Sequence, residues 1–270
     1  MSNVLLSLFV FAAYGALAAY FWRVQSRGKE ETLNSGAAGY LVLIPLAVHG
    51  YLLAQDVFAR GGFNLSMINA LSLIVWLTLL VYSVAQFFYH IGGMQALVLP
   101  LAAVVVLLPE FFPSAHQLEN TGLFAFKAHV AAAMLAYSFF TIAVLHAVLI
   151  SQVEKRLHHA SLPRIIQSLP PLLTMETLLF RMIGAGFLLL TLTLASGAVF
   201  SEEIFGRAWQ FNHKALFGIV SWAVFAVLLW GHHFYGWRGR VAVRWTVSGF
   251  VFLLLAYLGT KFVLEVILHR

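Results

Sequence analysis

The sequence predicts an all-α polytopic membrane protein, a single domain over residues 1–270 built as a bundle of about eight transmembrane helices. Three observations carry that reading. Hydrophobic residues make up 61% of the chain, charged residues only 10%, and mean hydropathy is +0.89, well outside an ordinary soluble domain. Apolar windows of the ~20-residue length that crosses a bilayer recur from end to end. They lack the strict alternation of a membrane barrel, and only helices or closed barrels satisfy their backbone in lipid. Finally, the charges fall on one side. With the N-terminus outside, the inward loops hold Arg23, Arg27 and Lys29, then Lys155, Arg156 and Arg164, then Arg238, Arg240 and Arg244. The outward loops hold Arg60 and Arg207, with Arg270 at the tail. This asymmetry follows the positive-inside rule and places both termini outward, so the net charge of +6 reflects topology and not nucleic-acid binding.

The windows follow in order. The first, 3–22, opens MSNVLLSLFVFAAYG without the basic n-region of a cleaved signal, and reads as a retained helix. The second, 38–55, carries His49, and the third is 66–88. The fourth, 94–109, is the shortest, lying between Gly92-Gly93 and Pro109, and the polar PSAHQLEN loop with His116 follows it. The fifth, 123–150, carries a small-residue stripe of Ala128, Ala132 and Ala136, a pattern that permits close packing against a neighbour or a flat ligand. Residues 152–177 form the longest polar interval, a basic linker or an interfacial helix stopped at Pro170-Pro171. The last three windows are 178–200, 211–234 and 242–266.

No cysteine is present, which excludes CxxCH haem attachment, iron–sulfur ligation and thiolate zinc sites within this chain. HExxH, GxSxG, Walker A and dinucleotide fingerprints are also absent, and no bond-making chemistry is evident, so no enzymatic activity is expected. What stands out is eleven histidines in so apolar a chain. The expected topology puts His49, His116, His129, His213 and His269 on the outer half. His90, His158, His159, His232 and His233 fall at the inner side, with His146 deep in the fifth span. His213 and His232 stand about 28 Å apart on one helix and serve different faces. His49 and His129 each lie roughly 9 Å below the outer ends of their helices, so equal depth makes them a candidate pair for opposite faces of one haem iron. The alternative for each is a hydrogen-bonded interhelical histidine.

Several stretches go further. His49 with FNLSMINALSLIVW, the FKAHVAAAMLAYSFF segment, PPLLTMETLLFRM, LTLTLASG and KALFGIVSWAVFAVLLWGHHFYGWRGR resemble, in order and spacing, the cytochrome c assembly superfamily of haem-handling membrane proteins. The similarity is strongest to its small eight-helix YpjD-like branch and looser to HemX-like proteins. FKAHVAAAMLAYSFF is similar to the family's HVxxMxxxYxxL segment, which implies His129 as the outward haem ligand. AWQFNHKAL occupies the place of a tryptophan-rich WxWDPKE element that holds haem at the membrane surface. Trp209, Phe211, Asn212 and Lys214 match it approximately, His213 stands where the proline would be, and the acidic residue is missing. The resemblance implies His269, beside the last helix, as a rival to His49 for the second axial position. It brings His232 within two residues of the family's inner haem histidine.

The function implied is a haem-binding protein of the bacterial cytoplasmic (inner) membrane, taking haem b non-covalently in c-type cytochrome assembly or haem homeostasis. Its expected partners are haem, membrane lipid and other cytochrome-assembly or haem-biosynthesis proteins, with no nucleic acid. Metal ligation falls to His49 and His129, and Trp209, His213, Lys214, His232 and His269 complete the candidate haem contacts. The alternative is a HemX-like regulator of tetrapyrrole biosynthesis that acts through its basic loops.

Overall fold

The computed structural model describes residues 2–27, 37–58, 63–88, 94–112, 117–118, 123–157, 171–199 and 213–260. In chain order the helices are α1 (Ser2–Ser26), α2 (Ala37–Leu41), α3 (Leu43–Val57), α4 (Met67–Phe88), α5 (Gln95–Phe111), α6 (Phe124–Leu157), α7 (Leu172–Val199), α8 (His213–Tyr235) and α9 (Gly239–Leu254). A π-helical turn, Leu255–Gly259, continues α9. A two-residue antiparallel bridge pairs β1 (Phe63–Asn64) with β2 (Gln117–Leu118) and is the only β pairing among the described residues.

Seven helical stretches are long and apolar enough to cross a membrane. The eighth expected span, α5, has 17 residues and carries Pro100 and Pro109 inside the helix. Each proline removes a backbone donor, so this element is the natural weak point of the bundle. The surface presents exposed Leu5, Phe9, Trp22, Ile44, Leu188 and Trp230, the lipid-facing side of a multi-pass membrane protein.

Helix packing divides the bundle into two groups of four. In the first, α1 packs on α3 and α5, and α4 packs on both of those. In the second, α6 packs on α7 and α9, while α8 fills in against α7 and α9. The groups meet where α4 lies on α6, and there Ser138 Oγ donates across the seam towards Ile74 O at 3.1 Å while also lying 2.8 Å from Met134 O.

Small residues set the spacing of the second group. Phe140 of α6 stacks on Phe225 of α8 with ring centroids 3.9 Å apart, and both rings are fully buried. On the outer faces of this pair lie glycines: a Cβ on Gly186 of α7 would fall 3.1 Å from Phe140, and one on Gly249 of α9 would fall 2.8 Å from Phe225. One layer therefore crosses all four helices as glycine, phenylalanine, phenylalanine, glycine. The alanine stripe also shifts from its expected register. Ala128 is exposed, and the fully buried alanines of α6 are Ala136, Ala143 and Ala147. They serve helix packing.

Candidate functional site

His129 stands five residues into α6, half-buried, opposite Ser196 of α7. Antiparallel packing of α6 and α7 makes this pairing, since His129 meets Ser196 while Phe140 meets Gly186. The Ser196 hydroxyl donates to Thr193 O at 3.1 Å, so its oxygen faces His129 Nδ1, 2.9 Å away, as an acceptor. With the serine proton on Thr193 O, Nδ1 carries the imidazole proton and Nε2 the lone pair. The contact ties the ring to another helix through a hydroxyl, an arrangement of the kind that orients a metal-binding histidine.

The surroundings of His129 suit a flat anionic ligand. Gly197 lies so close that a Cβ there would sit 3.3 Å from the imidazole. Lys214, in the first turn of α8, is within electrostatic reach of His129, and its Nζ stands 5.4 Å above the Tyr257 ring. Tyr257 belongs to the π-helical turn, packs 6.1 Å from Tyr137 and directs its hydroxyl to Leu65 O at 3.4 Å. Tyr137 donates to Leu253 O at 2.6 Å, just before that turn. The widened turn thus places an aromatic ring beneath Lys214, the cation within electrostatic reach of the imidazole.

His49 is held differently. It is 1% exposed, with Nδ1 3.4 Å from Tyr14 Oη of α1 and Nε2 3.0 Å from Ser72 Oγ of α4. Both ring nitrogens are engaged, and the ring packs edge-on to Tyr14 at 6.0 Å. Beside it, Trp76 Nε1 donates to Leu46 O at 2.8 Å and covers Gly50, where a Cβ would come within 2.9 Å of the indole. His49 thereby joins three helices of the first group, whereas His129 is set among helices of the second. The structure gives the two histidines different neighbours.

A concavity lies at the other end of α7 and α8, a cleft of about 520 Å³ lined by Glu176, Phe180, Arg181, His232, His233 and Arg238. His232 Nδ1 donates to Trp237 O at 2.9 Å, which leaves the lone pair on Nε2, and its ring stacks on Phe180 at 3.4 Å. The chain can fold back there because Gly236 adopts φ 66°, a left-handed conformation, and closes α8 with Gly236 N–H to His232 O and Trp237 N–H to Gly231 O, both 3.2 Å. The Trp237 indole then lies directly over Gly231, with no room for a side chain between them. Glu176 accepts from the Gly239 N–H at 2.9 Å, a carboxylate on the first amide of α9.

His213 is exposed at the first position of α8. Trp209 and His269 lie outside the described residues. His146 is 2% exposed and its Nδ1 has no hydrogen-bond partner. Among the described residues no group of three or more His, Asp or Glu side chains is placed to hold a metal ion. Sequence reasoning missed Ser196, Gly197 and Tyr257 at the first site and Phe180, Arg181 and Glu176 at the second. Ser196 and Gly197 do lie in the LTLTLASG stretch, but nothing in that stretch names His129, 67 residues earlier, as the partner.

Comparisons with known proteins agree with this architecture. The inner membrane protein YpjD of Escherichia coli (strain K12) is 30% identical over 227 residues, 83% of this chain and 85% of that protein. The cytochrome c biogenesis protein CcsA of Microcystis aeruginosa is 36% identical over 88 residues, 33% of this chain and 27% of its own length. A CcsA from Gloeothece citriformis matches to the same extent. No solved structure matches. The family model described as cytochrome C assembly protein covers residues 35–268, from just before α2 to beyond α9 and without α1, and by that match the chain belongs to the cytochrome c assembly protein family.

Proposed function

We propose that the protein is a haem-handling protein of the bacterial inner membrane, holding b-type haem non-covalently during c-type cytochrome assembly or in haem homeostasis. The family match and the names of the YpjD and CcsA relatives support this setting. The observation that carries it is the His129 imidazole, half-buried, with its Nδ1 2.9 Å from Ser196 Oγ and Lys214 within electrostatic reach.

The residues fit the cargo. Haem brings an iron that accepts an imidazole nitrogen, two carboxylates and a large flat ring. His129 supplies the nitrogen, Ser196 holds the ring orientation, and Lys214 supplies a cation for a propionate. Gly197 leaves the imidazole uncrowded, and Tyr257 offers an aromatic face. A single well-oriented imidazole suits reversible holding, which is what a handler requires and a permanent electron-transfer haem does not. The reading assigns no bond-making role to the chain.

The test is an oxidised and reduced absorption spectrum of detergent-purified protein, with and without added hemin, for wild type, His129→Ala and His49→Ala. A Soret band lost or converted to high spin in His129→Ala, and kept in His49→Ala, is the expected result. Loss in both variants would bring His49 into the site as the second axial ligand. No haem in the wild type even with hemin present would sink the handler reading. The basic end of the bundle would then favour the HemX-like regulator.

A further inference from the structure

We propose that the cleft between α7 and α8 binds the headgroup of an anionic phospholipid. The inference is independent of the haem reading and rests on height, charge and apolar flanks. Height comes first. α8 ends at Tyr235 and α9 begins at Gly239, so His232, His233 and Arg238 stand where the helices leave the membrane. Arg181 lies nine residues into α7, but α7 has 28 residues, about 42 Å, against roughly 30 Å of hydrocarbon. The stacking of Phe180 on His232 fixes the register, so Arg181 is level with the last turn of α8. An exposed arginine at that height is in the headgroup layer.

Charge comes next. The cleft has two guanidiniums, Arg181 and Arg238, against one carboxylate, Glu176. That carboxylate is committed to the Gly239 N–H at 2.9 Å, and Glu154 of α6 also lies against Gly239. With two guanidiniums against one carboxylate in its lining, the cleft carries a positive formal charge. Its volume of about 520 Å³ is within the roughly 300–1,000 Å³ of typical ligand pockets.

The flanks distinguish a lipid from a free anion. Leu173, which lines the cleft, is 61% exposed, and Trp230 and Phe234 of α8 are 62% and 59% exposed with rings 4.3 Å apart. An inorganic anion has no use for such a rim, whereas acyl chains do. This end also gathers the basic residues Lys155, Arg238, Arg240 and Arg244, and so faces the anionic cytoplasmic leaflet, where basic pockets between helices hold lipid phosphates.

Native mass spectrometry of the full chain, released from detergent with phosphatidylglycerol or phosphatidylcholine, tests the proposal. The wild type should retain phosphatidylglycerol selectively. R181Q and R238Q should each lower that retention about five-fold. R181K/R238K should keep most of it, and R240Q, an exposed arginine outside the cleft lining, should leave it unchanged. Equal retention of the two lipids, or an equal loss in R240Q, would overturn the site in favour of diffuse surface charge. Displacement by millimolar inorganic phosphate would assign it to a free anion. A Soret band abolished by H232A, with lipid retention indifferent to the arginines, would give the cleft to haem instead.

Discussion

Ser196 has one hydroxyl proton, and its direction decides what His129 can do. With that proton on Thr193 O, the serine oxygen accepts from Nδ1 and leaves Nε2 as the only unprotonated ring nitrogen. Ser196→Ala removes the acceptor, so the imidazole loses its fixed tautomer and its orientation together. Hemin affinity should fall roughly 10–100-fold, as for other partners that orient a metal ligand. A Soret titration checks this, with Ser196→Thr expected to restore most of the affinity and an unchanged melting temperature excluding collapse of the fold. The histidines themselves were legible in the sequence, because an imidazole in an apolar span is conspicuous. Their partners were not. Equal depth paired His49 with His129, but depth fixes neither the direction a side chain faces nor the helix it meets. His49 meets Tyr14 and Ser72, two residues with no motif to announce them.

Among the elements, the glycine–phenylalanine layer shows how close packing is achieved without a hydrophobic drive between helices in lipid. Phe140 and Phe225 fill the centre of the second group, and Gly186 and Gly249 let α7 and α9 approach their faces. Gly249→Ala would place a methyl 2.8 Å from a fully buried ring that has another ring stacked behind it. The expected cost is about 1–3 kcal/mol, the range for overpacking a filled core. It should be read as a lowered melting temperature in detergent, relieved in part by adding Phe225→Leu; no change would show that α9 shifts freely. The helices were legible almost to their ends because hydropathy is summed over some twenty residues. The differences lie where polarity returns before the helix stops. Window 123–150 becomes Phe124–Leu157 because SQVEKRL continues α6 with good helix formers, and 178–200 begins at Leu172 for the same reason. The π-helical turn at Leu255–Gly259 had no sequence mark, yet it is what brings Tyr257 to Lys214.

The whole molecule has two unlike ends, and its function depends on which one faces out. Tyr14 meets His49, His49 meets Ser72 and Tyr257 meets Leu65, which puts the start of α4 at the His129 end and Arg23 and Arg27 of α1 at the opposite one. With them stand Lys155, Arg238, Arg240 and Arg244, while the described cations at the His129 end are Lys127 and Lys214. The positive-inside rule then leads to the expectation that His129 and Lys214 face outward and the α7–α8 cleft faces the cytoplasm. The chain has no cysteine, so a single introduced thiol reports its side of the membrane without background. Lys127→Cys should react with a membrane-impermeant maleimide in intact spheroplasts. Arg240→Cys should react only in inverted vesicles. The reverse pattern would place the His129 site on the cytoplasmic side, where it could not meet an outward client, and would turn the arginine cleft away from the anionic leaflet. One labelling experiment thus bears on the haem site and the lipid site together, because a rigid bundle cannot turn one end without turning the other.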